Sequence, residues 1–373
     1  MQFTRSAVLY LLPLLTSLAL VLNTPATAQE NFRPLFNGQD LSGWVLVNTP
    51  RETWSIQDGM LICSGRPTGE LRTDRMYQNF ILEVEWRHMV PGGNAGIFVW
   101  ADDITSRGVP FHRSVEVQVL DHAYGQSKGH TTHGDIFPIH GAKMTPINGR
   151  GGSRAFPTEE RAKASPEWNH YRIECRDGAI SLAVNGSVVT RGTDASPRKG
   201  YICIESEGGT VHYRNLRIQE LPDTPVDPEH VAVASRGFRS IYTGLNLQGW
   251  LPTVAGRQHW QAQDWTLNYD GQATVAADIV LLSQEAVAER CFLVDVRPGE
   301  NCSSVTVAGH KITLEQLSGR DWVRLQLVTR SGQSTVFVND KPVLQNVPAA
   351  QTAFSLAAEG SAQFANIYVR PAP

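Results

Sequence analysis

Phe80-Ile81-Leu82-Glu83-Val84-Glu85-Trp86-Arg87 is the stretch on which the fold turns. Apolar and charged residues alternate along it, and its apolar members are the types that suit a pleated surface buried on one side. Five more stretches read as strands: Ser114 to Leu120, Tyr171 to Cys175, Ile180 to Val184, Tyr201 to Glu205 and Val211 to Ile218. Between them, Asp58-Gly59, Asp177-Gly178, Asn185-Gly186 and Gly208-Gly209 are turn signals, because these residue types accept the backbone angles of tight turns. A helical pattern is confined to Thr158 to Ala164. Many short strands with regular turns predict an all-β, antiparallel sandwich or barrel.

The chain then repeats itself. Phe32 to Trp44 has a counterpart in Phe238 to Trp250, and Trp54 to Asp58 in Trp260 to Asp264, both at an offset of 206 residues. Trp168 to Asn185 matches Trp322 to Asn339 at an offset of 154. The second copy is therefore shorter by about fifty residues (206 − 154), all lost between the two Trp anchors. A repeat this long is a duplicated domain, not a solenoid. The reading is two tandem β-sandwiches, 32–221 and 238–370, with a linker over 222–237. Leu221 to Glu229 carries three Pro and three acidic residues, so it should run extended and exposed.

Residues 1–28 read as a signal peptide. Arg5 precedes an apolar run from Ala7 to Leu22, broken by Pro13, and Ala26-Thr27-Ala28 offers small residues for cleavage before Gln29. This predicts a secreted or periplasmic protein, with no stable membrane span in the mature chain. The net charge is −3 and there are no basic runs, which excludes a nucleic-acid footprint. Cys63, Cys175, Cys203, Cys291 and Cys302 form no CxxC motif. In an oxidising compartment Cys291 could pair with Cys302 and Cys175 with Cys203, or all five could be buried thiols.

The extra segment of the first copy, from about Arg87 to Pro166, holds His88, His112, His122, His130, His133 and His140, six of the chain's 11 histidines. Both copies need strands to fold, and only one has this segment, so function is its simplest explanation. Within it, Glu116-Val117-Gln118-Val119-Leu120-Asp121 puts Glu116 and Gln118 on one face of a strand, where they can grip sugar hydroxyls or present a base. Asp121 at the strand end can orient the imidazole of His122. Gly92 to Phe98 enters a strand through a tight turn that lets backbone approach a ligand. His130 and His133 are candidate ligands for a divalent metal, and the His-x-x-His spacing in a loop dictates no third ligand.

These features, in order, resemble the 3-keto-disaccharide hydrolase domain family. The resemblance runs over about Phe32 to Leu221. It is carried by Leu35-Phe36-Asn37-Gly38, Asp40 to Trp44, Trp54, Asp58-Gly59, Asn94-Ala95-Gly96-Ile97, Glu116 to Asp121, Gly134 to Phe137, Glu167-Trp168-Asn169, Asn185-Gly186 and Arg214 to Ile218. The resemblance implies a concanavalin-like jelly roll with a sugar site on its concave face, acting on glycosides already oxidised at C3. Glu116 is then the base, His133 an acid or metal ligand, and Arg87, Asn94, Gln118 and Lys143 contacts to the ring or to a developing oxyanion. The sequence departs from the family where Gln and His are common on the penultimate strand: it reads Glu205-Ser206-Glu207-Gly208. That makes Glu205 a substrate-binding candidate and the site more negative. Two rival readings remain. Glu116, Gln118 and Asp121 share the spacing of a laminarinase-type retaining glucanase, and tandem sandwiches also serve as carbohydrate-binding or adhesion modules.

Overall fold

The alternation of Phe80 to Arg87 becomes the strand Phe80–His88, which lies inside a nine-stranded antiparallel sheet between Asn169–Arg176 and Val211–Glu220. Leu82, Val84 and Trp86 turn inward and are fully buried. Glu83 on the other face receives Arg172 at 2.8 Å and Arg217 at 2.5 Å. The computed structural model describes Gln2 and residues 31–234, 237–286, 289–349 and 353–372. Apart from Gln2, the expected signal peptide lies outside the described residues.

Facing this sheet is a six-stranded one. Its order is Trp44–Val47, Gly69–Thr73, Tyr201–Ser206, Asn94–Ala101, Ser114–Leu120 and Ile136–Ile139. Val115, Val117 and Val119 point from it into a core shared with Trp54, Trp86, Tyr171 and Tyr213 of the larger sheet. A period of two then forces Glu116 and Gln118 to the outer face. Further along the chain an eight-stranded sheet packs on a five-stranded one, Trp250–Leu251, Leu281–Ala286, Ala353–Glu359, Ser304–Val307 and His310–Thr313, around a core that includes Trp260, Phe292 and Phe354. The architecture is the all-β, doubled sandwich that the strand pattern and the repeat predict.

The turn signals hold. Asp58, Asp177 and Asn185 all have positive φ, and the glycine after each does too. The helical pattern does not hold: Thr158 to Ala164 has no regular structure. Its backbone is engaged outward, Thr158 N–H to Val189 O at 2.9 Å and Lys163 N–H to the Asn169 side chain at 2.8 Å. The disulfide options fail as well, because all five cysteines are buried free thiols. Cys175 lies in the core while Cys203 lies on the outer face of the six-stranded sheet, among Phe98, Ala101 and Tyr201. Cys302 is likewise in the second core, and Cys291 packs outside it with Phe238, Leu293 and Tyr368. A sheet separates the members of each proposed pair.

Both sandwiches fall in one compact unit, Phe32–Pro373. Val47 of the six-stranded sheet packs against Leu293 and Tyr368 of the eight-stranded sheet. At the centre of the contact, fully buried Asp295 accepts from Arg324 Nε at 2.7 Å, from Arg324 Nη2 at 2.8 Å and from Gly108 N–H at 2.9 Å. Arg324 Nη2 also donates to Thr105 O at 2.8 Å, and Asn366 Nδ2 to Val109 O at 2.9 Å. The second sandwich thus holds residues 105–109, in the connection between the strands Asn94–Ala101 and Ser114–Leu120 of the first. Among the described residues no helix is long and apolar enough to cross a membrane.

Candidate functional site

Glu116 and Gln118 leave Ser114–Leu120 on the outer face, and the neighbouring strand sets what they meet. Phe98 pairs with Glu116 and Gly96 with Gln118. Glycine at 96 is a spatial requirement: a Cβ there would lie 2.9 Å from Glu116 Oε1 and 3.0 Å from Glu205 Oε2. Those two oxygens are therefore no more than 5.9 Å apart, the sum of the two distances. Glu205 arrives on Tyr201–Ser206, two strands away from Glu116, and Glu207 follows it within hydrogen-bonding reach of Glu205.

A belt of donors crosses the same face. Gln118 Nε2 donates to Asn94 Oδ1 at 3.1 Å, and Asn94 Nδ2 donates to Glu207. Arg154 Nη1 reaches Gln118 Oε1 at 3.4 Å and Asp135 Oδ2 at 3.0 Å, with its guanidinium 3.4 Å from the centroid of Phe137. Buried Asp135 is itself held by the Thr131 N–H at 2.9 Å and by the Thr131 hydroxyl. These bonds hold Asn94, Gln118, Arg154 and Asp135 in place, while Glu205 Oε2 is buried without a hydrogen-bond partner among the described residues.

The electrostatics are set by burial. Glu116 is 7% exposed, and desolvation together with the charge of Glu207 pushes its carboxyl up to about 8, against the pull of Arg154. Burial, then Glu116 and Glu207, push Glu205 well above the usual carboxylate range. Burial and then Asp264 raise Glu207, which the Asn94 hydrogen bond opposes. A carboxyl pushed up to about 8, as that of Glu116 is, can take and give a proton near neutral pH, the property that acid–base catalysis needs.

Of the residues singled out from the sequence, Glu116, Gln118, Asn94 and Glu205 converge. Arg87 does not: it sits on the outer face of the opposite sheet, its guanidinium 4.5 Å from the Trp168 ring and 3.3 Å from His212 Nδ1. The cause is the period of two, since its neighbour Trp86 fills the core. Lys143 is exposed on Lys143–Pro146, an edge strand of that same sheet, alternating with core-facing Met144. Asp121 does not orient His122. Its carboxylate accepts from the N–H groups of Gly92 at 2.7 Å, Ala123 at 2.9 Å and Ser165 at 2.7 Å. Burial raises it, but those backbone bonds prevail and hold it below its usual range. Asp121 is a cap that ties three loops.

His133 and His130 separate. His133 Nε2 lies 2.8 Å from Glu160 Oε1, and its ring packs on His122 at 5.3 Å. His122, His133 and Glu160 offer donor atoms within 4.8 Å of one another, so His133 keeps its standing as a metal-ligand candidate with different partners. His130 turns instead to Ser127 Oγ at 2.9 Å and Gly125 O at 3.2 Å. A second group that could hold a metal is Glu70, His112 and Cys203, all buried on the outer face of the six-stranded sheet. Sequence reasoning missed Arg154, Asp135 and the catalytic potential of Glu207. Arg154 lies in the glycine-rich stretch Gly149 to Arg154, which carries no strand pattern or motif that points to it.

The comparisons with known proteins each cover about half of the chain. A 3-keto-disaccharide hydrolase of Bacteroides thetaiotaomicron is 24% identical over 236 residues, covering 52% of this chain and 79% of the relative. A solved structure of a candidate glycosyl hydrolase from Parabacteroides distasonis is 20% identical with a TM-score of 0.41, covering 52% of this chain and 95% of the other. The β-glucanase of Bacillus licheniformis is 14% identical with a TM-score of 0.35, covering 52% and 100%. The sequence pattern of the 3-keto-alpha-glucoside-1,2-lyase-like domain spans residues 31–219, which contain every member of the carboxyl and donor cluster, and the chain belongs to that family.

Proposed function

We propose that the protein cleaves glycosides bearing a ketone at C3, by elimination followed by hydration. The observation that carries this reading is the cluster itself: Glu116, with a carboxyl near 8, beside buried Glu205 and within a belt of donors from Asn94, Gln118 and Arg154. A C3 ketone acidifies the C2–H bond. Glu116 in its carboxylate form takes that proton, and the electron pair moves onto the C3 oxygen, where Arg154 can donate. The enolate then collapses, C3=O reforms, a C1=C2 double bond forms, and the C1–O bond breaks. The departing oxygen needs a proton, and Glu205 or Glu207, each raised above the usual carboxylate range chiefly by burial, can supply it. Water next adds across the double bond, its oxygen to C1 and a proton to C2.

We further propose that this takes place after export, which the apolar run behind Arg5 supports. Detection of a mature chain beginning at Gln29 outside the cytoplasm tests it, and an uncleaved cytoplasmic chain refutes it.

The reaction is tested by incubating the purified protein with a 3-keto-glycoside and with its unoxidised parent. The expected result is release of the leaving group from the keto compound alone, with solvent deuterium entering at C2. A second reading, retaining hydrolysis of an unoxidised glycan, draws on Glu116 and Glu205 lying no more than 5.9 Å apart, close to the roughly 5–5.5 Å that retention uses. Turnover of the unoxidised parent without deuterium at C2 selects it. Binding of either compound without turnover selects a carbohydrate-binding module.

A further inference from the structure

Glu207 borders two cavities. One, about 400 Å³, lies within the first sandwich beside Asn94 and Tyr124. The other, about 460 Å³, lies between the sandwiches. Arg66, Glu207 and Gly208 line both, so the two adjoin at the edge of the carboxyl cluster. Each volume falls within the roughly 300–1,000 Å³ of ordinary ligand pockets.

The wall that the second sandwich contributes to the inter-sandwich cavity is held in place. Thr68 donates its N–H at 2.6 Å and its hydroxyl at 2.7 Å to the Asp264 carboxylate. Gly244 sits so close to Pro67 that a Cβ would come within 2.9 Å of it. On this wall Leu245 is 55% exposed, an apolar side chain that lines the cavity with Ala262, while Thr68, Glu207 and Asp264 supply polar groups. Across from it Arg66 is exposed, and among the described residues its guanidinium makes no hydrogen bond or ion pair. An apolar surface facing a free fork of donors suits one chemical class well. A sugar ring presents C–H faces to the first and hydroxyls to the second.

We propose that the cavity between the sandwiches is the leaving-group subsite, and that it takes a second, neutral sugar unit against Leu245 and Arg66. The proposal rests on the reading that the 3-keto ring sits over Glu116. With the ring there, the C1 substituent is directed past Glu207, the residue common to both cavities. The second copy, which lacks the inserted segment, then selects what the first copy cleaves. The same wall touches the chemistry, since Asp264 adds to the forces that push the Glu207 carboxyl upward.

The test separates binding from turnover. Glu116→Gln protein, which holds substrate without removing the C2 proton, is titrated calorimetrically with a 3-keto-disaccharide and with methyl 3-keto-α-glucoside. The titration is then repeated with their unoxidised parents. The disaccharide should bind at least tenfold more tightly than the methyl glycoside. Leu245→Trp, which fills the cavity, and Arg66→Gln, which removes the donor fork, should each cut that ratio at least fivefold. A ratio that both variants leave within twofold, or a disaccharide that binds no better than the methyl glycoside, overturns the subsite. If wild-type protein turns over neither keto compound, while the unoxidised pair still shows a ratio that depends on Leu245, the subsite stands and the 3-keto reading fails.

Discussion

The two copies solve the same packing problem and differ on one face. In the second, the strands that correspond to those of Glu116 and Glu205 are His310–Thr313 and Ala353–Glu359. There Lys311 pairs with Glu359 at 2.6 Å, both more than half exposed, and the lysine holds the carboxylate below its usual range. In the first, the carboxyls are buried, lack a lysine partner and are driven upward. A solvated ion pair is what a sheet surface adopts when only solubility is asked of it. Crowded, desolvated carboxyls cost stability, and a chain that keeps them on one copy and not on the other marks a site.

The comparison breaks first at Glu116. Glu116→Gln preserves the side chain's size and removes the base, so kcat/KM on a 3-keto-glycoside should fall at least about a hundredfold by product assay. A variant as fast as wild type would place the base elsewhere. Next comes the junction that joins the copies. Asp295→Ala leaves part-buried Arg324 beside an apolar methyl, a change of about 3 kcal/mol, the lower end for a broken buried pair. A fall in Tm of roughly ten degrees by calorimetry follows; an unchanged Tm would mean that the junction adds nothing to stability.

The remaining effects are smaller. With Glu116 as the base and near 8, kcat/KM should rise about fivefold from pH 7 to pH 8, because only the carboxylate accepts a proton. A profile flat through pH 8 would deny Glu116 that role. The same group affects stability with the opposite sign. Its folded value lies above the ordinary 4.5, so the folded chain binds this proton more tightly. The stability so contributed is complete below about pH 4.5 and is lost as pH rises to about 8. Glu116→Gln cannot ionise and should escape that loss, melting roughly several degrees above wild type at pH 8.5 with a narrower gap at pH 5. Equal gaps at both values would contradict the burial argument. Last, Lys311→Ala in the second copy should shift Tm by less than about one degree, the ordinary fate of an exposed pair. A larger shift would show that the second face is not the plain surface it resembles.

Local order was legible because it depends on neighbours in the chain. The alternation in Phe80 to Arg87, the Asp-Gly and Asn-Gly turns and the repeated Trp anchors each encode a strand, a turn or a duplication within a few residues. The same period of two put Glu116 and Gln118 on one face, and the family pattern pointed to Asn94 and to Glu205's strand. Those four expectations rest on local geometry or on an ordered motif, and all four residues meet. Arg87 went astray because alternation tells which residues share a face and not which sheet that face belongs to. Asp121 went astray because its partners, Gly92 and Ser165, are distant in sequence. The cysteine pairs failed for a similar reason, since only the stacking of sheets shows what stands between two thiols.

By itself, then, the sequence determined the strands, the doubling and the copy that carries the extra histidine-rich segment, because side-chain periodicity and repeated anchors are properties of the linear chain. Tertiary structure alone decided that Arg154 and Asp135 join the site, that Glu205 approaches Glu116 across Gly96, and that the second sandwich grips residues 105–109 and walls a cavity beside Glu207. These depend on which strands become neighbours and on how much water the packing leaves between them, and neither is written in the spacing of residues along the chain.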